Sequence, residues 1–175
     1  MAPIIPMKLS GLAFFMEGSN TDFAIGDITL PSLTPMSSTI SGAGILGNFD
    51  MPDAGHYDSM QLGISWRTIS KDSFRLVSSK SKKVEIRGAF KEFDKTSGSY
   101  VTRALKIVVS GVGKGIDLGT LAQNAETGTT NTVEIIYIKI FIDGDSVFEL
   151  DKFSYISRIN GEDDQEDVRK ALGLS

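Results

Sequence analysis

The sequence predicts a mainly β fold, an antiparallel β-sandwich or barrel with a short flanking helix and a C-terminal helix. Three observations carry this prediction. Apolar and polar residues alternate with period two over much of the chain, as in Met60, Leu62, Ile64 and Trp66 against Gln61, Gly63 and Ser65, which is the pattern of half-buried strands. The dipeptides Asp143-Gly144 and Asn160-Gly161 punctuate those runs and favour tight turns. Helical spacing is confined to two short stretches. The chain is read as one domain, 1–175, long enough to bury a core without disulfide or metal staples.

In chain order, Phe23, Ile25, Ile28 and Leu30 form a β-favouring run that ends at Pro31. Its broken period at Gly26-Asp27 predicts a bulge. An extended loop is expected over about 41–56, because Ser41–His56 carries four glycines and a proline. That stretch also holds Ile45, Leu46, Phe49 and Met51, and apolar residues exposed on a long loop mark a partner surface. After the Met60–Trp66 strand, a helix is expected near Asp72–Lys80, with Asp72 as N-cap and Phe74 and Val77 on its apolar side. Val84, Ile86 and Phe90 then alternate with Glu85, Arg87 and Lys91, and Val101, Leu105, Ile107 and Val109 continue the pattern with Arg103 as the exception.

Gly111–Gly115 reads as a turn after that strand, and Gln123–Asn131 as a polar hairpin tip or arm. Val133–Ile142 is apolar on both faces: Ile136, Ile138, Ile140 and Ile142 on one, Val133, Ile135, Tyr137 and Phe141 on the other. Such a strand needs cover on both sides, from a helix, a second sheet or a neighbouring subunit. Asp143-Gly144 turns the chain into a return strand, Val147–Ile156. The last helix is expected over about 162–172, with Glu162, Asp163 and Asp164 at its start, Arg169 and Lys170 at its end, and Gly173 as a left-handed cap. Its apolar stripe, Val168, Ala171 and Leu172, is thin.

Composition excludes several classes of function. Cysteine is absent, so there is no disulfide framework and no thiolate metal site. The opening Met1-Ala-Pro-Ile-Ile-Pro lacks a basic segment, and Leu12–Met16 is too short for a membrane span. The expectation is a protein without stable membrane insertion and not exported by the general secretory route. A net charge of −4 opposes phosphate gripping. The charge is unevenly spread: Trp66–Lys106 has eleven basic and four acidic residues, a local +7, while the remainder has seven basic and eighteen acidic, a local −11. Either this is a solvated basic face, with Lys82, Lys83, Arg87 and Lys91 as its candidates, or basic and acidic surfaces meet between copies.

The chemistry-bearing patterns all have simpler explanations. His56, flanked by Asp53 and Asp58, is the single histidine, and its spacing matches no standard metal site. Gly111-Val-Gly-Lys-Gly115 lacks the full phosphate-loop pattern. Ser79-Lys80-Ser81-Lys82 has the Ser-x-x-Lys spacing without a companion motif. Asp143-Gly144-Asp145 is too short for a calcium loop, and no pocket is organised around Glu149 and Asp151. No catalytic, metal or cofactor site is expected, and the chain is read as a non-enzyme.

The order of features resembles a known family. Ile28-Thr-Leu-Pro-Ser-Leu33 precedes Ile40-Ser-Gly-Ala-Gly44 and a Gly-rich acidic loop; the Met60–Trp66 strand, a short helix and the basic strand Lys83–Phe90 follow. Ile135–Ile142, Asp143-Gly144, a return strand and Asn160-Gly161 close the chain. This is similar to the major tail tube proteins of contractile-tailed phages and R-type bacteriocins, over roughly Gly11 to Leu174. The resemblance implies subunits that close into hexameric rings and stack helically into a hollow tube inside a sheath. It implies as partners the chain itself, the tail sheath protein, a baseplate or tube initiator and a tail terminator, with DNA passing the lumen without specific binding in a phage. It places the protein in a virion tail or bacteriocin particle assembled in the host cytoplasm. Ile45, Leu46, Phe49, Met51, Ile135, Tyr137 and Phe141 are then the expected subunit-interface residues. Alternatives are a secretion-system tube subunit and a monomeric β-barrel enzyme or ligand-binding domain.

Overall fold

The computed structural model describes residues 3–17, 19–20 and 25–174; the predicted strand residue Phe23 lies outside them. In chain order the elements are β1 (Ile4–Met16), β2 (Ser19–Asn20), β3 (Ile25–Thr29), β4 (Pro35–Ile40), β5 (Phe49–Tyr57), β6 (Gln61–Trp66) and α1 (Lys71–Arg75). Then follow β7 (Lys82–Asp94), β8 (Ser99–Asp117), β9 (Thr129–Ile142), β10 (Asp145–Asp151), β11 (Ile156–Ile159), β12 (Glu162–Asp163) and α2 (Glu166–Leu172). The protein is mainly β and antiparallel, as predicted, and among the described residues the sheet does not close into a barrel.

One ten-stranded sheet runs β12-β11-β10-β9-β8-β7-β1-β2 and forks at β9. The first half of β9 pairs with β6, which pairs with β3, while its second half pairs with β10 on the same edge. The fork lets the sheet fold over itself. Three strands separate β1 from β6 in hydrogen-bonded order, yet Phe14 and Trp66 meet edge-to-face at 6.4 Å. Between the folded halves lie Met16, Leu62, Ile64, Val84, Val109 and Leu150, each at most 1% exposed. Large apolar side chains buried this fully contribute about 1.5–3 kcal/mol each. The one hydrogen-bonding group of Trp66 is satisfied there: its indole N–H donates to Asn131 Oδ1 at 2.7 Å.

Several expectations are corrected. Gly111–Gly115 is not a turn but the interior of β8. Lys114 is an extra residue there, one of two register shifts against β9. Glycine is needed at 113 because a Cβ would overlap the Leu76 carbonyl, where the end of α1 lies on the sheet. The other shift leaves Ile136 unpaired in β9. That bulge inverts the parity of everything after it, so Val133, Ile135, Ile138 and Ile140 all face the core. Most of the apparent two-faced hydrophobicity of β9 is this change of side.

The first helix spans Lys71–Arg75 rather than 72–80. Ser70 caps it in a capping box with Ser73, and Leu76 is its buried anchor, whereas Phe74 and Val77 are exposed. The expected mobile arm at 123–131 is a loop only to Gly128; Thr129 and Asn131 are buried in β9. The return strand breaks at Asp151, whose carboxylate accepts from the Phe153 and Ser154 amides in a turn before β11. Glu162 and Asp163 form β12, so α2 begins at Glu166 and not at 162. The predicted bulge between Ile25 and Ile28 is present, and so are the positive-φ turns at Asp143-Gly144 and Asn160-Gly161 and the left-handed Gly173 cap.

Candidate assembly surfaces

The expected loop at 41–56 is half strand. β4 and β5 make a separate two-stranded arm, with only residues 41–48 as its tip. Asp50 accepts from Thr39 Oγ1 at 2.6 Å and Asp53 from Ser38 Oγ at 3.2 Å. These bonds brace its five-pair ladder, but a hairpin standing alone is marginal in water. Ile45, Leu46, Phe49 and Met51 are all exposed on it, Leu46 completely so at the tip.

The arm is fastened at its root. Tyr57 packs edge-to-face on Phe148 at 5.8 Å. Gln165, 6% exposed, donates from Nε2 to the Ala54 carbonyl at 2.6 Å. Gly55, at φ 73°, leaves room for that side chain; any Cβ there would overlap the Gln165 amide. Gln165 is held in turn by Asp163, whose Oδ1 accepts from its backbone amide at 3.0 Å.

A second uncovered surface is a ribbon formed by the outer ends of three strands. Here β1, β7 and β8 run past the core, from Ile4 to Leu12, Gly88 to Asp94 and Ser99 to Leu105. Ile4, Ile5, Met7, Leu9 and Tyr100 are exposed on it. Arg103 pairs with Glu92 at 2.8 Å and stacks over Phe90.

The sheet face away from the core carries a lattice of charge. Phe15, Glu85, Val108, Lys139, Glu149, Arg158 and Asp163 stand directly opposite one another across successive strands from β1 to β12. Lys139 and Arg158 reach Glu149 at 3.4 and 3.2 Å; Arg158 and Arg169 reach Asp163 at 3.2 and 2.6 Å. Burial alone would raise the pKa of Glu149, but the Tyr137 hydroxyl at 3.0 Å and the Lys139 and Arg158 charges outweigh it and keep it lowered. The Arg169 guanidinium, above all, holds Asp163 far below the ordinary carboxylate range. Tyr137 is pushed up to about 12, first by burial and then by the Glu149 carboxylate. No single-strand pattern reveals this lattice, because its opposite charges become neighbours only through register.

The predicted interface residues therefore separate. The four arm residues lie together. Tyr137 and Phe141 are half-buried on the charged face, Phe141 between the Lys106 and Lys139 ammonium groups at 5.6 and 5.3 Å. Ile135 is 1% exposed inside the subunit core, so its burial is complete without a neighbour. The four basic candidates also divide. Lys82 shares the side of Val84 and pairs with Glu17 at 2.9 Å. Lys83, Arg87 and Lys91 face the other way, and Arg87 pairs with Glu85 and lies over Phe15 at 5.1 Å. His56 is exposed, and no cluster of three metal-ligating side chains occurs among the described residues. Among those residues no helix is long and apolar enough to cross a membrane.

A folded-over antiparallel sheet with ion-paired side chains on its outer face and two uncovered apolar ribbons defines a class, the β-rich structural subunit. The family described as phage tail tube protein FII matches residues 6–173, and the chain belongs to that family. It is 26% identical over 176 residues to the tail tube protein of Escherichia phage P2, covering 97% of this chain and 99% of that protein. A chain in the cryo-EM structure of the anti-feeding prophage baseplate, 6-fold symmetrised, matches 74% of this chain and 90% of its own length. That match has 14% identity and a TM-score of 0.42. The family is one of structural tail proteins and not an enzyme family, and membership makes the chain a component of a virion tail.

Proposed function

We propose that this chain is the repeating subunit of the inner tube of a contractile tail, closing into hexameric rings that stack helically into a conduit for DNA or ions. A sheath, a tube initiator and a terminator bound the tube, and assembly takes place in the host cytoplasm. The observation that carries this reading is the arm: a two-stranded hairpin with Ile45, Leu46, Phe49 and Met51 in water. Exposed apolar patches of this kind on soluble proteins mark interaction sites, and head-to-tail contacts between identical copies generate rings and helical stacks. The two β9 residues on the charged face, Tyr137 and Phe141, serve lateral contacts. The basic face of Lys83, Arg87 and Lys91 meets protein rather than the channel, since a basic lumen would trap phosphates. Density placing those three side chains in the channel would remove that assignment.

The test is deletion of Ile45–Met51 with a short glycine closure. The parent chain is expected to sediment as long, even cylinders, and the deletion variant as folded monomers or single rings. A parent that remains monomeric at every concentration would overturn the reading.

A further inference from the structure

We infer that the receptor for the arm is the ribbon of a second copy: the Lys8/Lys91 face of β1–β7–β8 receives the apolar face of the neighbouring β4–β5 hairpin. The inference rests on the tube reading and adds to it which two surfaces meet.

Register defines the two faces. On the arm, Ile40 lies opposite Phe49 and Ser38 opposite Met51. Alternation puts Asp53 on that same side, where Ser38 Oγ donates to it at 3.2 Å. On the ribbon, Ile5 lies opposite Phe93, Phe93 opposite Tyr100, and Lys8 opposite Lys91, all on the face away from the core. Phe93 and Tyr100 form an edge-to-face pair at 5.6 Å. Each face is thus a small apolar patch with charge at its margin.

The charges are opposite in sign. Between Lys8 and Arg67 the sequence contains no Lys or Arg at all, and the arm's carboxylates, Asp50 and Asp53, face no lysine or arginine of its own. On the ribbon, two lysines stand directly across a strand pair, an arrangement that disfavours the isolated sheet. Neither has an ion-pair partner among the described residues, whereas Arg87, Arg103, Lys106 and Lys139 are all paired. A carboxylate delivered by another copy relieves that repulsion. Arm and ribbon are different surfaces of one chain, so the contact is head-to-tail and propagates.

Charge exchange tests the pairing. Asp53→Lys alters the arm; Lys8→Glu with Lys91→Glu alters the ribbon. Each one-sided variant is expected to lose at least tenfold in pelletable polymer at matched concentration, with unchanged circular dichroism. An equimolar mixture of the two, or all three changes in one chain, is expected to recover polymer, because each reversed arm then meets a reversed ribbon. One-sided variants that polymerise like the parent, or loss without recovery in both the mixture and the triple variant, would overturn the pairing while leaving the tube reading intact. A parent that never polymerises removes both.

Discussion

Replacing Gln165 with alanine tests whether the arm is aimed from the C-terminal end of the chain. The amide donates to the Ala54 carbonyl at 2.6 Å and lies against Gly55, and Gln165 is 6% exposed. A neutral hydrogen bond contributes about 0.5–1.5 kcal/mol, rising to about 1–3 when its partner stays unsatisfied and buried. Ala54 is exposed, so water can replace the lost donor, and about 1–2 kcal/mol is the reasoned loss once packing on Gly55 is included. Confined to the arm root, that loss speeds local opening by roughly 5–30-fold. Hydrogen exchange resolved by mass spectrometry should show it at the amides of residues 49–57, with the centre of β8 unchanged. Gly55→Ala should give the same pattern from the other side, since its Cβ expels the Gln165 amide and its φ of 73° disfavours alanine. Unchanged exchange over 49–57 in Gln165→Ala, with faster exchange in α2 alone, would refute the clamp.

The remaining predictions concern stability and pH. Ile138→Ala, at a core site 1% exposed, should lose about 2–5 kcal/mol in denaturant unfolding, and Ile138→Asp should abolish folding and assembly together. Gly113→Ala should lift the end of α1 from β8 and lower stability by about 1–3 kcal/mol, read as a lower melting temperature with Leu76 exposed to solvent. Asp163→Asn removes a carboxylate whose folded-state pKa is depressed chiefly by Arg169. The parent's stability advantage over this variant should be complete above the unfolded carboxylate pKa of about 4 and shrink as pH falls below it toward the depressed folded value. Equal urea midpoints at pH 7 would contradict that role.

How far the sequence discloses this structure depends on how local each cause is. The alternation of Met60–Trp66 and the positive-φ turns at Asp143-Gly144 and Asn160-Gly161 are properties of a few adjacent residues, and the structure has them where the sequence puts them. The bulge at Ile136 is not local. It depends on how β8 and β9 pair, so a strand that reads as apolar on both sides has most of its hydrophobic residues on one. Gly111–Gly115 misleads for a related reason: Gly111 and Gly113 serve the close approach of the Glu134 and Leu76 backbone, not a reversal of direction. The arm's acidic and apolar composition is legible, but its second strand hides behind Pro52 and Gly55, two residues that usually interrupt strands. Lys8 and Lys91 lie far apart in sequence, and only register reveals them as an unpaired couple.

The most direct test of self-assembly is electron microscopy of the purified parent chain across a concentration series at moderate salt. Hollow cylinders of uniform width are expected, with end-on averages that show six subunits around an open channel. Isolated particles of single-subunit size at every concentration would contradict self-assembly.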